Sequence, residues 1–367
     1  MSQLTIEDIA RIAGVSRSTV SRVLNGQPNV RPSVRERVRE VINSYGYAPQ
    51  AAARQLVTRK TRLIGLILPD NAHHLFGNPI FAEIARGVSQ VCAQQGYTPM
   101  LFIGRQDMDE ATFFSLLRGR HFDGVVLISS DRQDRSAAML REAGMPYVRV
   151  GHDPEDDQDL QYVDVDNVAA ARQAVEHLIA LGHRRIAMLK GLAKDVCTHA
   201  RLEGYRQALA AAGLPFDEAL VGDGDWTPAS GYAWTQRFLD LPEPPTALFS
   251  SNDMMVAGVV RAVQERGLKV PDDLAIVGFD DLLQTTMIFP ELTTIRQPCV
   301  EMGTRAAELL IEQLEHNRRE RAQIILPTTL IVRQSCGYRQ RISAQAESGA
   351  GNRLAPRSAP GPGSPAS

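Results

Sequence analysis

Between positions 17 and 22 the chain sets two guanidinium groups and two hydroxyls, Arg17, Ser18, Ser21 and Arg22, at spacings that share one side of a helix. A guanidinium is a rigid fork of donors, and a hydroxyl both donates and accepts. Such a face can hydrogen-bond base edges and phosphates. The opposite side of the stretch is Val20, Val23 and Leu24, an apolar face that asks for burial. Ser16 is placed to cap this helix, and Gly14 supplies the freedom for a sharp turn before it. Upstream, Ile6, Ile9, Ala10 and Ala13 recur at helical spacing behind Thr5, a capping residue with Asp8 near the capping-box position. A short cationic, hydroxyl-bearing helix directly after a glycine turn is what a helix-turn-helix presents to a major groove. An ordinary αα-hairpin in a larger core shares the inner pattern. More basic helix follows this pair, which favours the first reading.

A third helix is expected at Pro32–Tyr45, with Val34, Val38, Val41 and Ile42 inward and Arg35, Arg37 and Arg39 outward. Pro32 suits its first turn. Residues 1–46 then make a headpiece near the lower limit for independent folding. Residues 47–60 read as a hinge helix or linker. Pro49 and the alanines favour a helix too short to stand alone in water, so the segment either folds on binding or is a plain linker. Up to Arg62 the chain carries eleven Lys/Arg against four Asp/Glu, whereas the remainder carries 29 against 38. A basic head on an acidic body directs the head at a polyanion.

From Leu63 the texture changes. Residues 63–69 are a continuous apolar run, as in a strand buried on both faces of a parallel sheet. Strands and helices then alternate to Val150, and the alternation restarts at Tyr162–Val165 and runs to Phe279, the mark of doubly wound sheets. Two such units imply two lobes with a cleft between them. The helix 300–314 and the strand-like stretch 324–332 are expected to return to each lobe in turn. The predicted division is an N-lobe of about 61–160 plus 292–323 and a C-lobe of about 161–291 plus 324–338. Residues 339–367 are mostly Ala, Ser, Gly and Pro and are expected to be disordered. The four cysteines have no zinc-finger or CxxC spacing. No signal-peptide pattern and no membrane-length apolar run are present, so a cytoplasmic protein with no membrane partner is expected. The enzyme signatures GxSxG, HExxH, GxxxxGK[ST] and GxGxxG after the first strand are missing, and no acidic spacing implies a metal. Neither an enzyme nor a cofactor is expected.

The segments 5–24 and 47–56, Asp166-Asn167, residues 181–187, Arg201-Leu202-Glu203-Gly204-Tyr205, residues 251–255, residues 271–281 and residues 292–298 together resemble the lactose-repressor (LacI) family. The resemblance covers Thr5 to Gly337. It implies an N-terminal all-α helix-turn-helix headpiece plus a two-lobed α/β effector domain of periplasmic-binding-protein-like fold. It also implies a homodimer, a palindromic double-stranded DNA operator, and a small effector between the lobes.

By that resemblance Arg17, Ser18 and Arg22 match base-contacting positions, although a phosphate-only role stays open for Arg17. Thr5, Ser16, Thr19, Ser21 and Asn25 match phosphate contacts. Ala53, Arg54 and Leu56 match the hinge that enters the minor groove, with Leu56 as the wedge. Many relatives have Asn where this chain has Gln50. For the effector, Arg201 matches an arginine that grips ligand oxygens, and Asp280 an acid that accepts hydroxyl hydrogen bonds. Trp226 matches an aromatic wall, with plain core as its other reading, and Asn252 a polar contact. Asn78 and Phe81 stand after the first strand, and Asp131 at the carboxyl edge of the sheet. Asp253 is read as the cap of the helix that follows it. These residues suit a sugar or sugar derivative. The expected function is a ligand-controlled repressor. A transport solute-binding protein and a purine- or nucleoside-responsive regulator are the alternatives.

Overall fold

The computed structural model describes residues 4–24, 26–47, 60–68, 77–103, 110–119, 121–129, 131–154, 161–283, 287–316 and 320–338. They form two compact units that divide after Arg62.

The first unit holds α1 (Ile6–Ile12), α2 (Arg17–Leu24) and α3 (Pro32–Ser44). A capping box starts α1: Asp8 N donates to Thr5 Oγ1 at 3.3 Å and Thr5 N donates to Asp8 Oδ2 at 3.0 Å. Gly14 takes φ +63° at the turn, a conformation that strains any residue with a Cβ. Ser16 Oγ then accepts from Thr19 N at 3.2 Å and caps α2. No side chain caps α3, and Pro32 occupies its first turn. Ile9, Ala10, Ala13, Val20, Val23 and Val38 close into one small core.

Two six-stranded sheets make the second unit. The first contains β1 (Leu63–Leu68), β2 (Thr98–Ile103), β3 (Gly124–Ile128), β4 (Tyr147–Val150), β5 (Gln161–Val165) and β11 (Ala322–Leu326). Its order is β2-β1-β3-β4-β5-β11, parallel throughout. The run in β1 is continuous because both faces are covered. Ile64, Leu66 and Leu68 pack towards α4 (Ile80–Gln95) and α11 (Cys299–His316). Ile67 packs towards α5 (Glu110–Arg118) and α6 (Ser136–Glu142).

The second sheet contains β6 (Ile186–Lys190), β7 (Val221–Asp223), β8 (Ala247–Ser250), β9 (Ala275–Asp280), β10 (Thr293–Arg296) and β12 (Thr329–Ile331), in the order β7-β6-β8-β9-β10-β12. Only β12 runs antiparallel to its neighbour. Helices α7 (Asn167–Ala180) and α8 (Val196–Ala211) cover one face, and α9 (Pro228–Leu239) and α10 (Asp253–Glu265) the other.

The lobes exchange chain at three places, and these move the expected division. Strand β5 pairs with β4 and β11, so residues 161–165 belong to the N-lobe. Strand β10 pairs with β9, so 293–296 belong to the C-lobe. The stretch 324–332 is two strands in different sheets, broken at Pro327, which lacks a ladder donor. A buried apolar strand reads alike in either sheet, so local pattern did not reveal the switches. Helix α8 begins at Val196, five residues before Arg201, and a 3₁₀ turn, Glu218–Leu220, leads into β7.

Candidate functional site

On the headpiece, Arg17, Ser18 and Arg22 stand exposed along one side of α2, while Val20 and Val23 are buried on the other. Ser16 Oγ lies 2.8 Å from Ser18 Oγ and 2.9 Å from Thr19 Oγ1, so the hydroxyls at the start of α2 form a linked cluster. The hydroxyl of Thr5 is engaged with Asp8, whose carboxyl is held below its ordinary range chiefly by the Thr5 backbone N–H. Arg17 Nε lies 3.2 Å from Glu7 Oε1 on α1. The helix therefore presents two forked cations and a row of hydroxyls on a face with a buried back. Among the expected contacts, Asn25, Ala53, Arg54 and Leu56 lie outside the described residues, as does Gln50.

The second unit has a cleft between its lobes, at the carboxyl ends of both sheets, where open α/β sheets bind ligands. Counted to its mouth it measures about 1090 Å³. All seven residues expected to meet an effector line it: Asn78, Phe81 and Asp131 from the N-lobe, and Arg201, Trp226, Asn252 and Asp280 from the C-lobe.

Arg201 is 5% exposed and is fixed from several directions. Its Nε donates to Asn167 Oδ1 at 2.9 Å, its Nη1 donates to the Ser251 carbonyl, and its guanidinium lies 3.7 Å from the centre of the Phe279 ring. Asn167 opens α7, the first element after the chain changes lobes, and its Nδ2 donates to the Val165 carbonyl at 3.3 Å. Asp280 ends β9 with φ +122°, a strained backbone for a residue with a Cβ. Two contacts hold it: Gln297 N donates to its carbonyl at 3.2 Å, and Gln297 Nε2 to Oδ1 at 2.6 Å. Burial raises the Asp280 carboxyl above its usual range, and the Arg201 charge opposes the rise. Behind it, burial raises the Asp253 carboxyl too, with the Asp280 charge adding to the effect.

Trp226 has φ +70° and is held by its ring: Nε1 donates to Asp195 Oδ2 at 2.7 Å. The ring lies against Gly191, where a Cβ would come within 1.8 Å of it. The expected core reading is incomplete, because Trp226 both packs on a core cluster and forms cleft wall.

Three expected polar contacts are partly committed inside the protein. Asn252 Oδ1 caps α10 by accepting from Met255 N at 3.0 Å, and its Nδ2 donates to the Trp226 carbonyl at 3.1 Å. The cap is therefore Asn252 and not Asp253, which lies in the first turn and accepts from Thr294 Oγ1 and Asp281 N, each at 2.7 Å. Asn78 Oδ1 accepts from Ile80 N at 3.2 Å. Asp131 accepts from Gln133 N at 2.8 Å and pairs with Lys194 Nζ at 3.0 Å. That pair and a backbone bridge between Asp131 and Asp195 tie the lobes together beside Trp226.

Sequence reasoning missed three groups in the cleft. Asp164 on β5 lines it, and burial pushes its carboxyl up to about 6 against the backbone N–H groups of Val165 and His152. An acid inside the apolar run Tyr162–Val165 was the available signal. Ser129 follows β3 at the carboxyl edge; it is 6% exposed, lines the cleft, and its Oγ has no hydrogen-bond partner among the described residues. Gln297, the holder of Asp280, precedes the proline where β10 leaves for α11. Among the described residues of the cleft, four acids (Asp131, Asp164, Asp195, Asp280) thus face two cations, and both cations are engaged by protein.

Comparison with known proteins adds the following. The model described as "Bacterial regulatory proteins, lacI family" matches residues 5–50, and a periplasmic binding protein-like domain matches residues 175–336. The HTH-type transcriptional regulator CelR of Thermobifida fusca is 40% identical over 334 residues, 90% of this chain and 98% of that one. Catabolite control protein A of Priestia megaterium is 36% identical, covering 90% and 99%. Among solved structures, a CelR–cellobiose complex has 38% identity and a TM-score of 0.72, covering 91% and 100%. A lac repressor dimer bound to operator and the anti-inducer ONPF has 27% identity and a TM-score of 0.81, covering 91% and 99%.

Proposed function

Because this chain belongs to the LacI family of bacterial regulatory proteins, we propose that it is a homodimeric transcriptional repressor whose operator affinity is set by a neutral sugar held between the lobes. It is a regulator and not an enzyme. The observation that carries the choice of ligand is the wall chemistry of the cleft. Several acceptors converge there with one forked cation, an orphaned Ser129 hydroxyl and an indole face. Hydroxyl donors match the acceptors, whereas a phosphate or carboxylate would face excess negative charge with both described cations already engaged. The similar CelR structure holds cellobiose, so cellobiose is the first sugar to try.

In this reading Arg201 and Asp280 bond the hydroxyls, Trp226 stacks on a ring face, and Asn252 acts by holding the Trp226 backbone. Arg17, Ser18 and Arg22 read base edges, while the hydroxyls around them and the hinge at 53–56 fix the protein on the duplex. The effector shifts the balance between two arrangements of the lobes by its difference in affinity for them. A cytoplasmic location fits: no helix among the described residues is long and apolar enough to cross a membrane.

The test is fluorescence polarisation on a palindromic duplex selected by the protein, with and without cellobiose, glucose, ribose and a nucleoside. A neutral sugar should change operator affinity at least fivefold, and Arg201→Ala should abolish that response while leaving the affinity of the unliganded protein in place. A response to the nucleoside alone would overturn the sugar assignment.

A further inference from the structure

Glu7 is an acid on a headpiece that is otherwise strongly basic. It sits in the first turn of α1, and its Oε1 lies 3.2 Å from the Nε of Arg17, the first residue of α2. The two side chains are 59% and 70% exposed. A pair this wet adds little to stability, so its consequence is geometric. The guanidinium is planar with five fixed N–H donors. A carboxylate at Nε leaves the Nη1 and Nη2 end open, and that end can fork onto guanine O6 and N7. Glu7 also faces Tyr47, whose phenol is raised first by burial and then by the Glu7 charge. Tyr47 packs on the headpiece core.

We propose that Glu7 is a positioning residue that holds Arg17 in its reading geometry. This rests on the reading of Arg17 as a base contact. Ordering a long side chain at an interface weakens binding by about two- to twelvefold. Glu7 meets part of that cost before DNA arrives. The same carboxylate repels phosphates, so it weakens non-specific binding while sharpening choice at one base pair.

The full-length protein is used to select a preferred duplex from a randomised palindromic pool. Affinities for all four bases at each half-site position are then measured for the wild type, Glu7→Gln, Arg17→Ala and the double variant. Glu7→Gln should lose about two- to fivefold of discrimination at the single position that Arg17→Ala also relaxes, and should bind unrelated duplex more tightly. In the Arg17→Ala background it should leave base preference unaltered. If Arg17→Ala relaxes a position and Glu7→Gln does not, the positioning role is overturned alone. If Glu7→Gln relaxes a different position, Glu7 acts without Arg17 and the proposal is likewise overturned. If Arg17→Ala relaxes no position, the base-contact reading beneath it falls.

Discussion

Asp164 has its carboxyl in a place that resists the charge. Its carboxyl titrates near 6 in the folded chain, against about 3.9 when unfolded. Between those values the folded state keeps a proton that the unfolded state has lost. Stability therefore falls as pH rises through that window, and the full penalty is present above pH 6. Two units correspond to about 3 kcal/mol, and the cleft wets one side of the group, so about 1–3 kcal/mol is expected. Asp164→Asn should accordingly raise the melting temperature at pH 7.5, by about 2–4 °C per kcal/mol, and change it little at pH 4. Scanning calorimetry at the two pH values checks this. If ionised Asp164 accepts from a sugar hydroxyl, the same variant should also bind effector more weakly. An equal gain at both pH values would mean that Asn improves packing and that the charge is not the cause.

At the scale of elements, the headpiece is the weakest part. Its core is six buried side chains drawn from three helices, and a unit this small has little stability to spare. Ile9 is fully buried, and Ile9→Ala should cost about 2–5 kcal/mol. That should unfold the headpiece and abolish duplex binding while effector affinity in the second unit stays unchanged, as calorimetry with a sugar would report. Elements of this kind were legible in the sequence. The capping box at Thr5, the turn at Gly14 and the double-faced run of β1 each state a local requirement that only one local structure meets. The start of α8 was not legible, since Val196, Cys197, Thr198 and His199 are weak helix formers placed there by packing. Cleft residues split the same way. Arg201, Asp280 and Trp226 came from matched motifs. Asp164 and Ser129 were missed because their importance lies in which strand ends meet across the two sheets. The cap fell to Asn252 and not to Asp253 because either residue type can cap, and Gly278, whose missing Cβ leaves room for the Asp253 carboxylate, lets that side chain turn inward.

For the whole molecule, the proposed homodimer needs a face for its second copy, and one surface stands out. Leu283, Met287 and Phe289, after β9, are 74%, 81% and 75% exposed. Large apolar side chains this open, so close in the chain, mark an interaction surface, and a homodimer offers a second copy to cover it. Replacing Met287 and Phe289 by Asp should shift sedimentation from dimer to monomer at micromolar concentration and weaken operator binding by at least tenfold, with the effector cleft intact. An unchanged sedimentation coefficient would place the interface elsewhere. The three lobe crossings have a consequence of another kind, in time. Strands β11 and β12 occupy edge positions in the two sheets yet are among the last described residues to leave the ribosome. The headpiece is finished by residue 62, and roughly 270 more residues are added, at about 5–20 per second, before β12 is complete. For on the order of 10–50 seconds, each nascent chain therefore carries a complete DNA-binding unit attached to a sensor that lacks its last strands.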